Sequence, residues 1–159
     1  DYDHSKVYEG MQTGHQAVIS AYSPSKLDPT AAPKGHSTLT LLTMTAWNPS
    51  ERDWRIHKEK IADEMIDVID QRIHGIRNHI KYKEILTPAV LEKHTNTYKG
   101  AMYGWDLAPD QAILKRQPPK TFIKNLFLSG HWTQPGPGMT TAIISGWMTA
   151  KLVKKALRT

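Results

Sequence analysis

Apolar side chains recur every three or four positions between residues 50 and 76, which is the longest regular pattern in the chain. That spacing places them on one face of an α-helix. The expected core side chains of this helix are Ile61, Met65, Val68, Ile69 and Ile73. We expect Ser50 to cap its first turn, which then holds Glu51 and Asp53, where the helix dipole favours acidic side chains. The sequence therefore predicts a long amphipathic helix that packs against a sheet containing residues 37–46.

Four stretches rich in β-branched, aromatic and aliphatic residues are typical of short strands, namely residues 15–22, 37–47, 79–86 and 121–129. The pairs Ser-Pro, Asp-Pro and Ala-Pro, followed by Lys-Gly, predict a loop over residues 23–35. The polar composition of residues 1–14 predicts a loose start to the chain. Thr87-Pro88 predicts a short helix with proline at its first position, and residues 139–157 predict the last helix. The few, widely separated strands favour an α+β fold, in which helices cover one face of a mostly antiparallel sheet.

Composition narrows the classes of function. The chain has 159 residues, enough for one ordinary domain or two small ones, and its formal net charge of +6 permits an anionic partner without naming one. The absence of cysteine excludes disulfides, thiolate metal sites and cysteine nucleophiles. The eight histidines never take a metal-ligand spacing such as HExxH, so no metal site is expected. The basic run over residues 77–83 is expected to be a solvated strand edge, and no nucleic-acid partner is expected.

The segment over residues 125–146 carries most of the candidate chemistry. An apolar stretch ends at Gly130, a loop with Gly136 and Gly138 follows, and a helix begins near Met139. The first amides of a helix have no internal acceptor and lie at the positive end of the helix dipole, so they attract a phosphate, a carboxylate or a polarised carbonyl. An ordinary helix start after a Pro-Gly loop has the same spacing, so spacing alone leaves both interpretations open.

This segment resembles the carboxy-terminal flavin-contact motif of the phytoene desaturase, carotenoid isomerase and retinol saturase family of flavoproteins. The family pattern N-L-[FY]-L-x-G-x-x-T-x-P-G-x-G-[VM]-x-x-A-[IV]-x-S-G is matched at every specified position. Residues 28–35 resemble the family's D-P-[ST]-x-A-P-x-G, residues 87–88 its T-P, and residues 100–104 its G-[AS]-x-[YF]-G. The resemblance therefore runs from about residue 18 to the end of the printed sequence.

The resemblance implies FAD as the cofactor of the intact protein. The residue after the strand-ending glycine would lie by the ribityl chain, and the start of the following helix would face the isoalloxazine ring. The expected cofactor-binding residues are Gly130, His131, Gly138, Met139, Thr140 and Thr141. His131 departs from the acidic or small residue that the family often carries at its position. No residue is assigned a catalytic role.

The resemblance further implies a lipophilic polyene or isoprenoid-like substrate that is desaturated, reduced or isomerised through the flavin. Tyr103 and Trp105 either line a channel for this substrate or are core aromatics, and both interpretations stay open. The family's GxGxxG fingerprint, which binds the ADP half of FAD, does not occur in this sequence. We therefore expect the carboxy-terminal portion of an oxidoreductase, which by itself is inactive and holds no FAD.

In this interpretation residues 1–120 are part of a substrate domain, and residues 121–159 are the last strand and helix of the FAD-binding domain. The missing amino-terminal part would be its main partner, with self-association left open. No apolar run reaches the roughly 18 residues of a membrane-spanning helix, so a cytoplasmic protein is expected. The basic residues at the end of the last helix leave a peripheral membrane contact open. The alternative is a non-catalytic, basic α+β module that binds a protein partner or a membrane surface.

Overall fold

The computed structural model describes residues 3–15, 18–47, 53–106 and 108–158. The chain divides into two compact units, Asp1–Thr87 and Pro88–Thr159. Helices supply most of the regular secondary structure described in both units, and a small two-stranded antiparallel sheet lies in the first. This mixture is consistent with the predicted α+β class. The functional division predicted after residue 120 is a boundary of a different kind and stays a prediction.

The first unit begins with helix α1, His4–Thr13, so the expectation of a loose start was wrong. The Asp3 carboxylate caps the helix by accepting hydrogen bonds from the Ser5 and Lys6 amides, at 2.9 and 3.4 Å. Gly14 ends it in the left-handed conformation, with φ 86°. The two end signals are therefore sufficient for a short helix despite its polar composition.

The sheet consists of strands β1, Ser20–Tyr22, and β2, Thr40–Leu42. They pair antiparallel, with Ser20 opposite Leu42 and Tyr22 opposite Thr40. Both lie inside the stretches predicted as strands, but each is only three residues long. The loop between them contains the short 3-10 helices Pro24–Lys26 and Pro29–Ala31, because proline supplies the first helical dihedral in each.

Helix α2 spans Trp54–Asp70, and the Asp53 carboxylate caps it by accepting from the Arg55 amide at 2.8 Å. Asp53 is therefore the N-cap and not a first-turn residue, while the predicted cap Ser50 and its neighbour Glu51 lie outside the described residues. The helix ends before residue 76, and the chain turns at Gly75, with φ 82°, into the short helix α3, Ile76–His79.

The apolar face of α2 is narrower than its spacing predicts. The prediction was right for Ile61, which is 2% exposed, and for Ile69, and Ile66 completes the buried row. It was wrong for Val68 and Ile73, whose side chains are 47% and 49% exposed. Ile73 lies beyond the end of the helix, so it no longer shares the direction of the helical face.

The strand predicted over residues 79–86 is not formed. Two basic side chains in and beside this segment pair instead with acidic side chains of α2. The Arg77 guanidinium bonds the Asp67 carboxylate at 2.5 Å, and Lys83 Nζ lies 3.1 Å from oxygens of both Glu59 and Asp63. Hydrogen bonds, first to Glu59 and then to Asp63, raise the pKa of Lys83 above its usual value. Two cations of the basic run, Arg77 and Lys83, are therefore paired with acidic side chains within the unit.

The second unit contains helices α4, Pro88–Thr95, and α5, Met139–Ala156, which confirm the two predicted helices. Helix α4 packs against the 3-10 turn Tyr98–Gly100. A Cβ on Gly100 would lie 2.2 Å from the Pro88 carbonyl oxygen, so this packing requires glycine. No described helix is both long and apolar enough to cross a membrane.

The strand predicted over residues 121–129 is replaced by a compact turn. The Thr121 hydroxyl bonds the carbonyl oxygen of Leu126 at 2.9 Å, and Asn125 takes a left-handed φ of 64°. A single antiparallel bridge joins Lys120 to Phe127. Local side-chain hydrogen bonds of this kind compete with strand pairing.

Candidate functional site

The turn over residues 130–138 is fixed to helix α5 by a fully buried serine. The Gly130 amide donates to Ser145 Oγ at 3.1 Å. Thr133 Oγ1 lies 2.9 Å from Ser145 Oγ and 2.9 Å from the Gly130 carbonyl oxygen. Ser145 has no exposed surface. These three positions of the sequence motif therefore form one hydrogen-bonded unit that sets where the turn lies on the helix.

The glycines of this turn serve different purposes. Gly130, Gly136 and Gly138 all have positive φ, at 114°, 133° and 106°. The position of a Cβ on Gly130 is open space, with no atom within 4 Å. A Cβ on Gly136 would instead lie 3.2 Å from Nε of Arg116. The absence of a side chain at Gly130 therefore leaves its backbone accessible, and its absence at Gly136 leaves room for the buried Arg116 side chain.

Helix α5 begins at Met139 without a side-chain cap, because its N-cap residue is Gly138. The Thr141 hydroxyl bonds the carbonyl oxygens of Pro137 and Gly138, the latter at 2.8 Å, so it does not cap an amide. Met139 and Thr140 are exposed, and Thr141 is half-buried. Since the first amides of an α-helix have no intrahelical acceptor, this end can bind an oxygen that carries negative charge.

Arg116, which the sequence interpretation did not include, is buried in the second unit and is 3% exposed. Its Nη2 donates to the carbonyl oxygens of Trp105 and Asp106, at 2.6 and 3.2 Å. Its Nη1 donates to the carbonyl oxygen of His131 at 3.2 Å. The guanidinium thus joins the loop predicted to face the substrate to the turn predicted to face the cofactor.

Aromatic rings meet at the same place. The Trp105 and Trp132 rings are in edge-to-face contact, with centroids 5.2 Å apart, and the His131 ring lies 5.8 Å from that of Trp132. A Cβ on Gly104 would approach His131 to 3.0 Å. Tyr103 and Trp105 are exposed, so neither is a core side chain of this structure. A role for them at a substrate stays a prediction.

The structure therefore joins Trp105 and His131, two of the residues that the sequence singled out, through Arg116, which it did not. The ring nitrogen Nε2 of His131 is buried and has no hydrogen-bond partner among the described residues. Within the described ranges, no group of three or more His, Asp or Glu side chains is placed to hold a metal ion. A run such as Lys115-Arg116-Gln117-Pro118 has the composition of an exposed basic turn, so no local signal indicates that Arg116 is buried.

Comparison with known proteins supplies the family. No family model matches the chain. A 4,4'-diapophytoene desaturase (4,4'-diapolycopene-forming) of Methylomonas sp is 32% identical over 138 residues, which cover 84% of this chain and 27% of that protein. A phytoene desaturase (neurosporene-forming) of Rhodobacter capsulatus is 29% identical over 144 residues, 87% of this chain and 27% of that protein.

A pyridine nucleotide-disulfide oxidoreductase domain-containing protein 2 of Mus musculus is 27% identical over 148 residues, 84% of this chain and 24% of that protein. The chain thus spans about a quarter of the length of these relatives. Further desaturases of phytoene and of zeta-carotene align over 80% or more of the chain. Because carotenoid desaturases recur among relatives that match most of its residues, the chain belongs to the phytoene desaturase family.

Proposed function

We propose that this chain supplies the carboxy-terminal, flavin-ring-facing part of an FAD-dependent oxidoreductase that acts on a long apolar polyene. The observation that carries the proposal is the backbone arrangement from Gly130 to the start of α5. It combines an accessible glycine, a turn fixed by Ser145 and an uncapped helix end in one stretch. The carotenoid desaturases among its relatives support the reaction class.

The residues present fit a flavin. The open space beside Gly130 admits a ligand close to the backbone, where any side chain would stand. Gly138 carries no side chain between the helix end and a ring placed against it. The buried, unpartnered Nε2 of His131 is a polar atom for which the described residues supply no hydrogen bond. Gly130, His131 and the amides of Met139, Thr140 and Thr141 would hold the ribityl chain and the ring.

Bound FAD would supply the two-electron oxidation that removes hydride from the substrate. This chain would contribute the positioning of the ring and the substrate and the electrostatic stabilisation of the ring. The start of α5 carries the positive end of an 18-residue helix, which stabilises negative charge on a ring held there. The half-exposed rings of Tyr103 and Trp105, on the loop tied to His131, offer an apolar surface along which a polyene would be aligned.

The remaining part of the cofactor would be held elsewhere. No GxGxxG fingerprint occurs in the sequence, so we propose that a separate segment binds the ADP half and that this chain alone retains no FAD. Exposed apolar side chains in the turn over residues 121–129 support such a partner, since they lack cover in this chain. They are Phe122, Ile123 and Leu126.

We further propose that the enzyme works on the cytoplasmic side and touches the membrane only peripherally. Lys151 lies over the Trp147 ring, with Nζ 3.6 Å from the centroid, and Lys154, Lys155 and Arg158 follow. An exposed aromatic beside several cations suits an anionic lipid surface. Binding to anionic vesicles that weakens with added salt, and no binding to neutral vesicles, is the expected result.

The decisive test of the oxidoreductase proposal is an anaerobic titration of the complete flavoprotein that contains this chain. Phytoene or 4,4'-diapophytoene, delivered in micelles, should bleach the absorbance of oxidised flavin, and a saturated hydrocarbon should not. Absence of flavin from the complete protein would refute the cofactor assignment. Flavin that is bound but never bleached by any polyene would refute the substrate class.

A further inference from the structure

We propose that Arg116 is a positioning residue that locks the loop of Gly104 to Asp106 onto the turn at His131, so that the two move as one body. The lock itself is inferred from the geometry. The functional consequence, that the lock keeps the substrate side and the flavin side of the site in a fixed relative position, rests on the proposed function.

The bonding of Arg116 is unusual for a buried cation. Among the described residues, no carboxylate lies within ion-pair distance of its guanidinium, and three backbone carbonyls take that place. Two of these carbonyls belong to the Gly104 loop and one belongs to the His131 turn. A planar guanidinium can serve acceptors in different directions at the same time, whereas a lysine ammonium is a single point charge. The bonds therefore constrain the two backbones relative to each other.

Close packing reinforces the bonds on both sides. A Cβ on Gly136 would lie 3.2 Å from Arg116 Nε, and a Cβ on Gly104 would lie 3.0 Å from both Cδ2 and the carbonyl oxygen of His131. The Trp105–Trp132 ring pair adds a further contact between the same two segments. If the guanidinium were lost, three part-buried hydrogen bonds would be lost together, and both segments would loosen.

The test is hydrogen–deuterium exchange on the full chain, comparing Arg116→Lys with the neighbouring exposed control Lys115→Gln. In Arg116→Lys, peptides that cover residues 101–106 and 130–137 should both exchange at least roughly tenfold faster, because hydrogen bonds to a charged group are lost. Helix α4 should be unaffected, and the control should match the parent chain. Exchange that rises equally in α4 means general destabilisation and overturns the proposal, as does unchanged exchange in either segment.

Gly104→Ala tests the same lock without touching the arginine, and it decides the matter if Arg116→Lys does not fold. The added methyl presses on His131, so both segments should again exchange faster. The near-ultraviolet circular dichroism of the Trp105–Trp132 pair should weaken in both variants, with Trp105→Phe as the reference for its complete loss. A response of residues 101–106 alone would refute the lock.

Measurements on the complete flavoprotein separate this inference from the proposed function. If Arg116→Lys loosens both segments and also raises KM for the polyene more than it lowers kcat, the lock and the site are both supported. If both segments loosen while flavin content and KM stay unchanged, the lock is supported. The proposal that its two segments face the substrate and the flavin is then refuted. The absence of joint loosening overturns the lock whatever the flavin content.

Discussion

Ser145 is the residue on which the turn before α5 depends most directly. Its hydroxyl is fully buried and accepts from the Gly130 amide, while Thr133 Oγ1 lies 2.9 Å away. Buried polar groups that lose their partner are costly, so this small side chain stabilises a long stretch of irregular backbone.

We expect Ser145→Ala to lower the free energy of unfolding by about 1–3 kcal/mol, because it leaves the Gly130 amide and the Thr133 hydroxyl with an unmet bond. Urea denaturation of the chain measures the change. Ser129→Ala makes the same chemical change at an exposed position and should alter stability little. An equal loss in both variants would contradict the role given to Ser145.

Gly138 tests the proposed flavin contact at the scale of one residue. A side chain there would be strained at φ 106° and would stand 3.3 Å from Thr141 Oγ1, in front of the uncapped amides. In the complete flavoprotein, Gly138→Val should lower flavin occupancy, and His131→Ala should lower it less, because the amides require no side chain. Flavin absorbance after purification is the measurement. Stoichiometric FAD in Gly138→Val would refute this site.

Asp53 makes the stability of α2 depend on pH. Hydrogen bonds from the Arg55 side chain, and then from its backbone amide, lower the pKa of the Asp53 carboxyl to about 2 from its ordinary 3.8. In the window between these values the unfolded chain binds more protons than the folded one, so the stabilisation is present above about pH 4 and is lost as the pH falls towards 2.

The difference in Tm between the parent chain and Asp53→Ala should therefore be largest at neutral pH and should shrink below about pH 4. Solvent screening of this exposed pair keeps the difference small. Asp110→Ala removes an exposed carboxylate in a turn and should show no such dependence. A difference in Tm that is constant from pH 7 to pH 2.5 would contradict the assignment.

At the scale of elements, α2 shows how a helix of regular apolar spacing buries only part of that pattern. Ile61, Ile66 and Ile69 are buried, whereas Val68 lies on the side of the helix that remains largely exposed. The acidic side chains of the same helix are occupied by Arg77 and Lys83, which hold the following segment in place. Surface ion pairs of this kind orient a segment more than they stabilise it.

Ile61→Ala should destabilise the first unit by about 2–5 kcal/mol, because it removes a side chain that is only 2% exposed and leaves a cavity. Val68→Ala on the same helix should cost well below about 1 kcal/mol, since its side chain is already 47% exposed. Urea denaturation of both variants gives the comparison. Similar losses would show that Val68 is covered in solution.

At the scale of the whole molecule, the segment over residues 121–129 carries apolar side chains that the described chain does not cover. The Phe122 side chain is 98% exposed, and Ile123 and Leu126 lie close by in sequence and are also exposed. Exposed clusters of large apolar side chains mark surfaces that another chain covers. A second copy or the proposed amino-terminal part of the enzyme would fit this surface.

Phe122→Ser should weaken self-association of the isolated chain and reduce the binding of a hydrophobic dye. It should also weaken assembly with a separately produced FAD-binding part. Sedimentation velocity over a range of concentrations measures the first effect, and a pull-down with the second part measures the last. Tyr82→Ser, an exposed aromatic in the other unit, is the matched control. Identical behaviour of the two variants would show that the surface around Phe122 has no special role.

The sequence by itself was sufficient for the elements whose signals are local. Pro88 begins α4, the glycine-rich turn leads into α5, and several motifs in the order of the family together indicate the family. These features depend on backbone preferences and on residues a few positions apart, so no distant contact is needed to recognise them. The strand over residues 121–129 was wrongly predicted because the Thr121 hydroxyl donates a hydrogen bond to the nearby Leu126 carbonyl oxygen, which a strand would pair with a neighbouring strand.

Tertiary structure alone decided which side chains are buried and which segments meet. Arg116 is buried because carbonyl oxygens 10, 11 and 15 positions away converge on its guanidinium. Val68 is exposed because nothing in the described structure covers that side of α2. Burial and long-range hydrogen bonds depend on the neighbours that folding brings into contact, and a periodic pattern along the chain identifies a face but not what lies against it.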